Sequence, residues 1–213
     1  MGYNSHPKIM KKLFYSFIML VAMSLTFVAC EQKSPEPEQN EEEKPKVESN
    51  CELQFAQQVV QGDQSAYYFD ITNGDLHLED NQIAGTTGEY VSIMLFAQSQ
   101  EDNKLPKEQK YDVISAEELT EYTICVVGGA IDQEGPFGTY GIAMTEGEVS
   151  DIFLCIDGNI KIEGDEKNAT MTANFEFLSI MTEETFTREY IYNGAFDIEQ
   201  YKNSAPQRVK IQK

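Results

Sequence analysis

From residue 51 onward, apolar and polar side chains alternate with a period of two, and no stripe at helical spacing interrupts them. The pattern predicts strands over residues 53–60 and 65–72, the second with Tyr67, Phe69 and Ile71 on one face. Residues 88–98 are apolar on both faces around Met94 and Phe96, as a central strand would be. Shorter strands are expected over 111–114, 137–144 and 148–156. The cleanest alternation is at 169–179, with Met171, Ala173, Phe175 and Phe177 inward and Thr170, Thr172, Asn174 and Glu176 outward. A last strand is expected over 186–198, with Tyr190, Tyr192 and Phe196 on one side. Asn73-Gly74 and Asp157-Gly158 read as tight turns, and Gly135-Pro136 as loop punctuation. Ser115 and Glu118 have capping-box spacing, with room for one or two helical turns at most. About ten short strands joined by turn signals predict a single all-β domain over residues 51–213, antiparallel, built as a β-sandwich or a barrel.

The chain ahead of this domain follows other rules. Residues 13–29 carry no charge, Lys11 and Lys12 precede them, and Cys30 follows, which is the three-part layout of a secretory signal. The run is shorter than the roughly 20 residues of a spanning helix and lacks a basic stop-transfer flank. Met10 begins a complete positive segment, so residues 1–9 are set aside and 1–29 are expected to be a signal peptide. Phe27-Val28-Ala29-Cys30, with a bulky residue at −3 and a small one at −1, resembles the lipobox of bacterial lipoproteins, Phe27 standing where leucine is commoner. That resemblance implies that Cys30 is diacylated and becomes the first residue of the mature chain. Residues 31–50 are rich in Glu, Pro, Gln and Lys and hold too few apolar groups to offset their ordering entropy, as expected of a disordered tether. An acidic, Pro-containing leader behind a lipidated cysteine resembles outer-membrane lipoproteins of the Bacteroidota. The likeness covers residues 1–50 only. It implies a lipid-anchored outer-membrane protein, on the periplasmic face or the cell surface.

Charge narrows the partners. The net charge is −20, and loss of residues 1–29 would remove Lys8, Lys11 and Lys12 and no acid. Such a chain repels nucleic-acid phosphates and anionic lipid headgroups alike. Membrane contact is therefore expected through acyl chains on Cys30, and no nucleic-acid partner is expected.

Candidate chemistry is sparse. His77 would be the sole histidine after processing, and a Ser-His-Asp or Cys-His arrangement would have to use it. Its place between Leu76 and Leu78 marks it as an outward surface residue. Cys51, Cys125 and Cys155 lack C-x-x-C spacing, and Cys125 and Cys155 lie in apolar strands where buried free thiols are expected, a Cys125–Cys155 disulfide being the alternative. Two acidic groups, Asp70, Asp75, Glu79 and Asp80, then Asp157, Glu163, Asp165 and Glu166, read as solvated turns and fit no EF-hand spacing. The unusual stretch is 128–141, which combines glycines with Asp132, Glu134, Phe137, Gly138 and Tyr140. These five residues are the expected binding site, suited to a neutral or cationic partner. Loss of the Phe137 and Tyr140 rings is expected to weaken binding while barely moving the thermal midpoint. No catalytic residue, metal ligand or cofactor is assigned. The expected function is a non-catalytic binding or adhesion module, its ligand a protein, a glycan or a small molecule. The alternative is a lipocalin-like carrier of a small apolar ligand, and a hydrolase has least support.

Overall fold

The computed structural model describes residues 47–98, 104–120 and 124–202. The signal peptide, Cys30 and residues 31–46 of the expected tether lie outside these. The described residues are all-β. In order come β1 (Glu52–Gln61), β2 (Gln64–Thr72), β3 (His77–Glu79), β4 (Gln82–Ala84) and β5 (Gly88–Gln98). Then follow β6 (Gln109–Ile114), one 3-10 turn (Ala116–Glu118), β7 (Cys125–Val127), β8 (Ala130–Asp132), β9 (Gly135–Phe137) and β10 (Tyr140–Thr145). The long strands β11 (Glu148–Asp165), β12 (Asn168–Ser179) and β13 (Thr185–Gly194) precede the short β14 (Ile198–Lys202).

Five of these strands close on themselves. β5 pairs with β10, β10 with β11, β11 with β6, β6 with β7, and β7 returns to β5. The sheet then extends from both ends of this ring, through β2, β1 and β14 on one side and through β12 and β13 on the other. Barrel and sandwich are thus combined in one sheet. Most ladders are antiparallel as expected, but β1–β14 and β6–β7 are parallel.

One apolar cluster fills both the ring and the space between its extensions. Val91, Ile93 and Leu95 of β5, Val126 of β7 and Phe153 of β11 belong to it, together with Tyr67 and Phe69 of β2 and Phe175 and Phe177 of β12. These are the positions that the two-residue period places on one face. At one end of the cluster, Glu89 of β5 ties the ring to β13. It accepts hydrogen bonds from Arg188 Nε at 2.9 Å, Tyr190 Oη at 2.9 Å and Asn73 Nδ2 at 3.2 Å, and the Arg188 guanidinium lies 4.6 Å from the centre of the Phe186 ring. Residues 47–50 cover part of the outer edge of β13: Ile191 and Asn193 donate from their backbone N–H to Asn50 Oδ1 and Ser49 Oγ.

Several elements differ from the sequence pattern. Asp157-Gly158 makes no hairpin; it lies inside the 18-residue β11. The ladder register shifts between Cys155 and Asp157, Asp157 Oδ1 accepts from Gly158 N–H, and Gly158 has φ of 121°. The dipeptide acts as a β-bulge, and it bends one strand from its partner β10 to its next partner β6. Asn73-Gly74 likewise joins no two-strand hairpin. The chain there keeps contact with β5, through Asn73 N–H to the Glu89 carbonyl, and the tight turn comes later, at Asp80 and Asn81, both with positive φ. Residues 186–198 are not one strand: β13 ends at Gly194, and β14 begins at Ile198 on the far side of the sheet, beside β1.

Candidate binding cleft

A second, smaller apolar cluster lies on the outer side of the ring. Tyr90 of β5 and Tyr140 and Ile142 of β10 are buried there, the two tyrosine rings 6.4 Å apart. They point outward because they occupy the alternate positions to Val91 and Gly141. The β3–β4 hairpin lies over them and adds Leu78 and Ile83, while Met144, Val149 and Leu154 pack at the margin. The hairpin is held at its base by Asp75, whose carboxylate accepts from Thr86 N–H at 3.0 Å, Thr86 Oγ1 at 2.7 Å and Thr87 N–H at 2.6 Å. These bonds hold the Asp75 carboxyl below its ordinary range. The Leu78 N–H donates to Gln54 Oε1 of β1 at 3.1 Å, and the Gly147 N–H donates to the Thr86 carbonyl at 2.8 Å. Hairpin and barrel wall are thus tied together at several points.

Between the β3–β4 hairpin and the β10–β11 turn lies a cleft of about 690 Å³. Ile83, Met144 and Val149 form an apolar floor, but most of the lining surface is polar, with Gln82 beside them and Glu79, Asp80 and Glu148 at the rim. Among the described residues that line it there is no lysine or arginine. A mainly polar, carboxylate-lined cleft with a small apolar floor suits a positively charged group that carries a short apolar portion. Beneath the floor, the Asp70 carboxyl of β2 interacts with Ser92 and with Tyr90 of the cluster. Burial pushes its pKa up from 3.8 to about 6, against the lowering effect of those two hydrogen bonds.

The site expected from the sequence is divided by the fold. Residues 128–141 are no open loop: β8 and β9 form a hairpin within them, with Asp132 Oδ1 accepting from Glu134 N–H at 2.8 Å across its turn. Asp132 and Glu134 are exposed at that tip, and Phe137 is half-buried. Gly138 is buried, with φ of 73°, packed against the Gly128 carbonyl where a Cβ would not fit. Tyr140 is 5% exposed and belongs to the outer cluster. Its ring therefore cannot serve as a contact surface, and its loss would cost stability, contrary to expectation. The glycines here serve close packing: Gly128 and Gly129 donate to the Ile114 and Cys155 carbonyls, and Thr139 bridges Val127 and Cys155, tying β7 and β11 to the start of β10.

The cleft itself was missed. Its rim acids Glu79 and Asp80 were read as a solvated turn, and nothing in the local sequence signals that Met144 and Val149 come to face them. His77 is exposed, as its position indicated. Cys51, Cys125 and Cys155 are all free and buried. Cys125 opposes Phe96 on the outer face whereas Cys155 faces the core, so the two cannot bridge. Burial pushes the Cys125 thiol up to about 11. Among the described residues, no three His, Cys, Asp or Glu side chains converge as ligands for a metal ion, and no helix is long and apolar enough to cross a membrane. No family model, no curated protein and no solved structure matches the chain.

Proposed function

We propose that this chain is a lipid-anchored, non-catalytic recognition module of the bacterial outer membrane, attached through Cys30. The cleft under the β3–β4 hairpin is its binding site, for a partner that presents an apolar group next to a lysine or arginine. The observation that carries this reading is the cleft's apolar floor of Ile83, Met144 and Val149 inside a rim of Glu79, Asp80 and Glu148. The residues that a catalytic reading would need stand apart: His77 is exposed, and burial raises the thiols of Cys51 and Cys125. A carrier role has less support, because the five-stranded ring is filled by its own side chains, whereas a barrel needs about eight strands to leave room for a small ligand.

Two measurements test the reading. Titration of the full chain with short Leu/Lys peptides should show binding that Val149→Asp weakens at least tenfold and that Glu79→Lys with Glu148→Lys nearly abolishes. Equal binding of Leu/Glu peptides, or no effect of either variant, would overturn the site. For the anchor, the chain produced in a bacterial host should incorporate labelled palmitate, and Cys30→Ser should remove the label. Persistent labelling of the serine variant would refute it.

A further inference from the structure

The apolar floor of the cleft continues past Val149 along the outer side of β11. Ile152 and Leu154 stand on the side opposite Phe153, which enters the core. Across the ladder Leu154 faces Leu178, and the Ile180 N–H donates to the Ile152 carbonyl at 2.9 Å, so two apolar cross-strand pairs lie next to each other. The β3–β4 hairpin covers Tyr90, Tyr140 and Ile142, but this half of the outer face stays accessible: Ile180 is 37% exposed, Ile156 44% and Met181 68%. An apolar patch of this kind costs solubility and marks an interaction surface.

Its border is mainly acidic, although Lys110 and Arg188 line the same hollow as Asp157 and Glu176 at the end away from the turn. Glu176 precedes Leu178 by two residues on the same face of β12 and opposes Asp157, while Glu183 and Glu184 follow Met181 in the turn. Neither residues 149–157 nor residues 176–187 contain a lysine or arginine. A second copy would bring the same acids to the same face, and anionic lipid would be repelled in the same way. Position points the same way. Residues 47–50 attach beside Ile191 and Asn193 at one end of β13, and the Ile180-Met181 turn lies beyond the other end, about 30 Å along the strand.

We infer that the outer face of β11 and β12, from Ile152 to the Ile180-Met181 turn, docks a protein whose apolar ridge is flanked by lysine or arginine. The inference rests on the recognition role proposed above and enlarges its site: the cleft takes one side chain of the partner, and this face takes the ridge that follows it. Charge complementarity supplies the choice of partner, and the half-covered outer sheet supplies the contact area.

The test uses the full chain and a labelled amphipathic Leu/Lys helix of about four turns as probe, long enough to cross both halves of the face. The helix should bind, and Ile180→Asp with Met181→Asp should weaken it at least tenfold while circular dichroism and the thermal midpoint stay unchanged. Glu183→Lys with Glu184→Lys should weaken it severalfold, and a Leu/Glu helix should not bind. Weakening by Val149→Asp alone, with the Ile180→Asp and Met181→Asp variant binding as the parent, would overturn this inference and leave the cleft reading standing. Weakening by the turn variant alone would uphold the docking face and remove the cleft. Self-association of the parent that the turn variant abolishes would make a second copy the occupant and refute the proposal, as would equal binding of the Leu/Glu helix.

Discussion

Phe153→Ala should be the most damaging single replacement in the barrel wall, lowering stability by about 3–5 kcal/mol. The Phe153 ring meets Phe177 edge-on at 4.8 Å and Phe186 at 5.3 Å, and it occupies the space that a Cβ on Gly141 would take across the β10–β11 ladder. Truncation removes three contacts at once, and the surrounding strands are locked in a closed ring that cannot collapse into the void. For a domain of this size the thermal midpoint should fall by roughly 10 °C. Met181→Ala is the control, since its side chain is 68% exposed and should change stability by no more than about 0.5 kcal/mol. Chemical denaturation of both variants checks the expectation. If the two behave alike, Phe153 does not hold the wall together.

Asp70→Asn should stabilise the protein near neutral pH and leave it unchanged in acid. The Asp70 pKa rises from 3.8 to about 6 chiefly through burial. A raised carboxyl pKa means that the folded state favours the protonated form. The favourable contribution is complete below about pH 4 and is lost as pH climbs through 6. A shift of this size corresponds to at most about 3 kcal/mol. The asparagine variant has no charge to bury, and its amide oxygen still accepts from Ser92 or Tyr90. Its midpoint minus that of the parent should be near zero at pH 4, grow between pH 4 and 6.5, and level off above that. A flat difference across the range would mean that the carboxyl titrates normally.

Much of the architecture is a local property of the chain. Strand formation depends on a two-residue alternation that needs nothing from distant residues, so β2, β5 and β12 lie within a residue or so of where the pattern placed them. For the same reason Met171, Ala173, Phe175 and Phe177 are buried as expected, and His77 is exposed. Burial of Cys125 and Cys155 follows from the apolar strands around them. The net charge, a sum over residues, is fixed before folding enters.

What alternation leaves open is which strand lies beside which, and that decides the meaning of every glycine. Asp-Gly makes a hairpin when the next strand folds back. At Asp157-Gly158 the strand continues, because β6 offers a new partner just where β10 ends, and the same flexible pair becomes a bulge. The glycines of residues 128–141 mark that stretch in the sequence as unusual. In the closed ring they are points where Gly128, Gly129 and Gly138 pack against neighbouring backbone, which draws Tyr140 into the wall. The cleft depends on the same long-range choices. Glu79 and Glu148 are 69 positions apart in the chain, and they share a rim because Asp75 ties down one hairpin while the β10–β11 turn bonds to Thr86. Sequence alone determined most of the long strands and their inward faces, since each is set by neighbours one or two residues away, and it determined the charge. Closure of the ring, the burial of Tyr140 and the place of the cleft were decided by tertiary structure, since each needs hydrogen bonds between strands that only the complete sheet brings together.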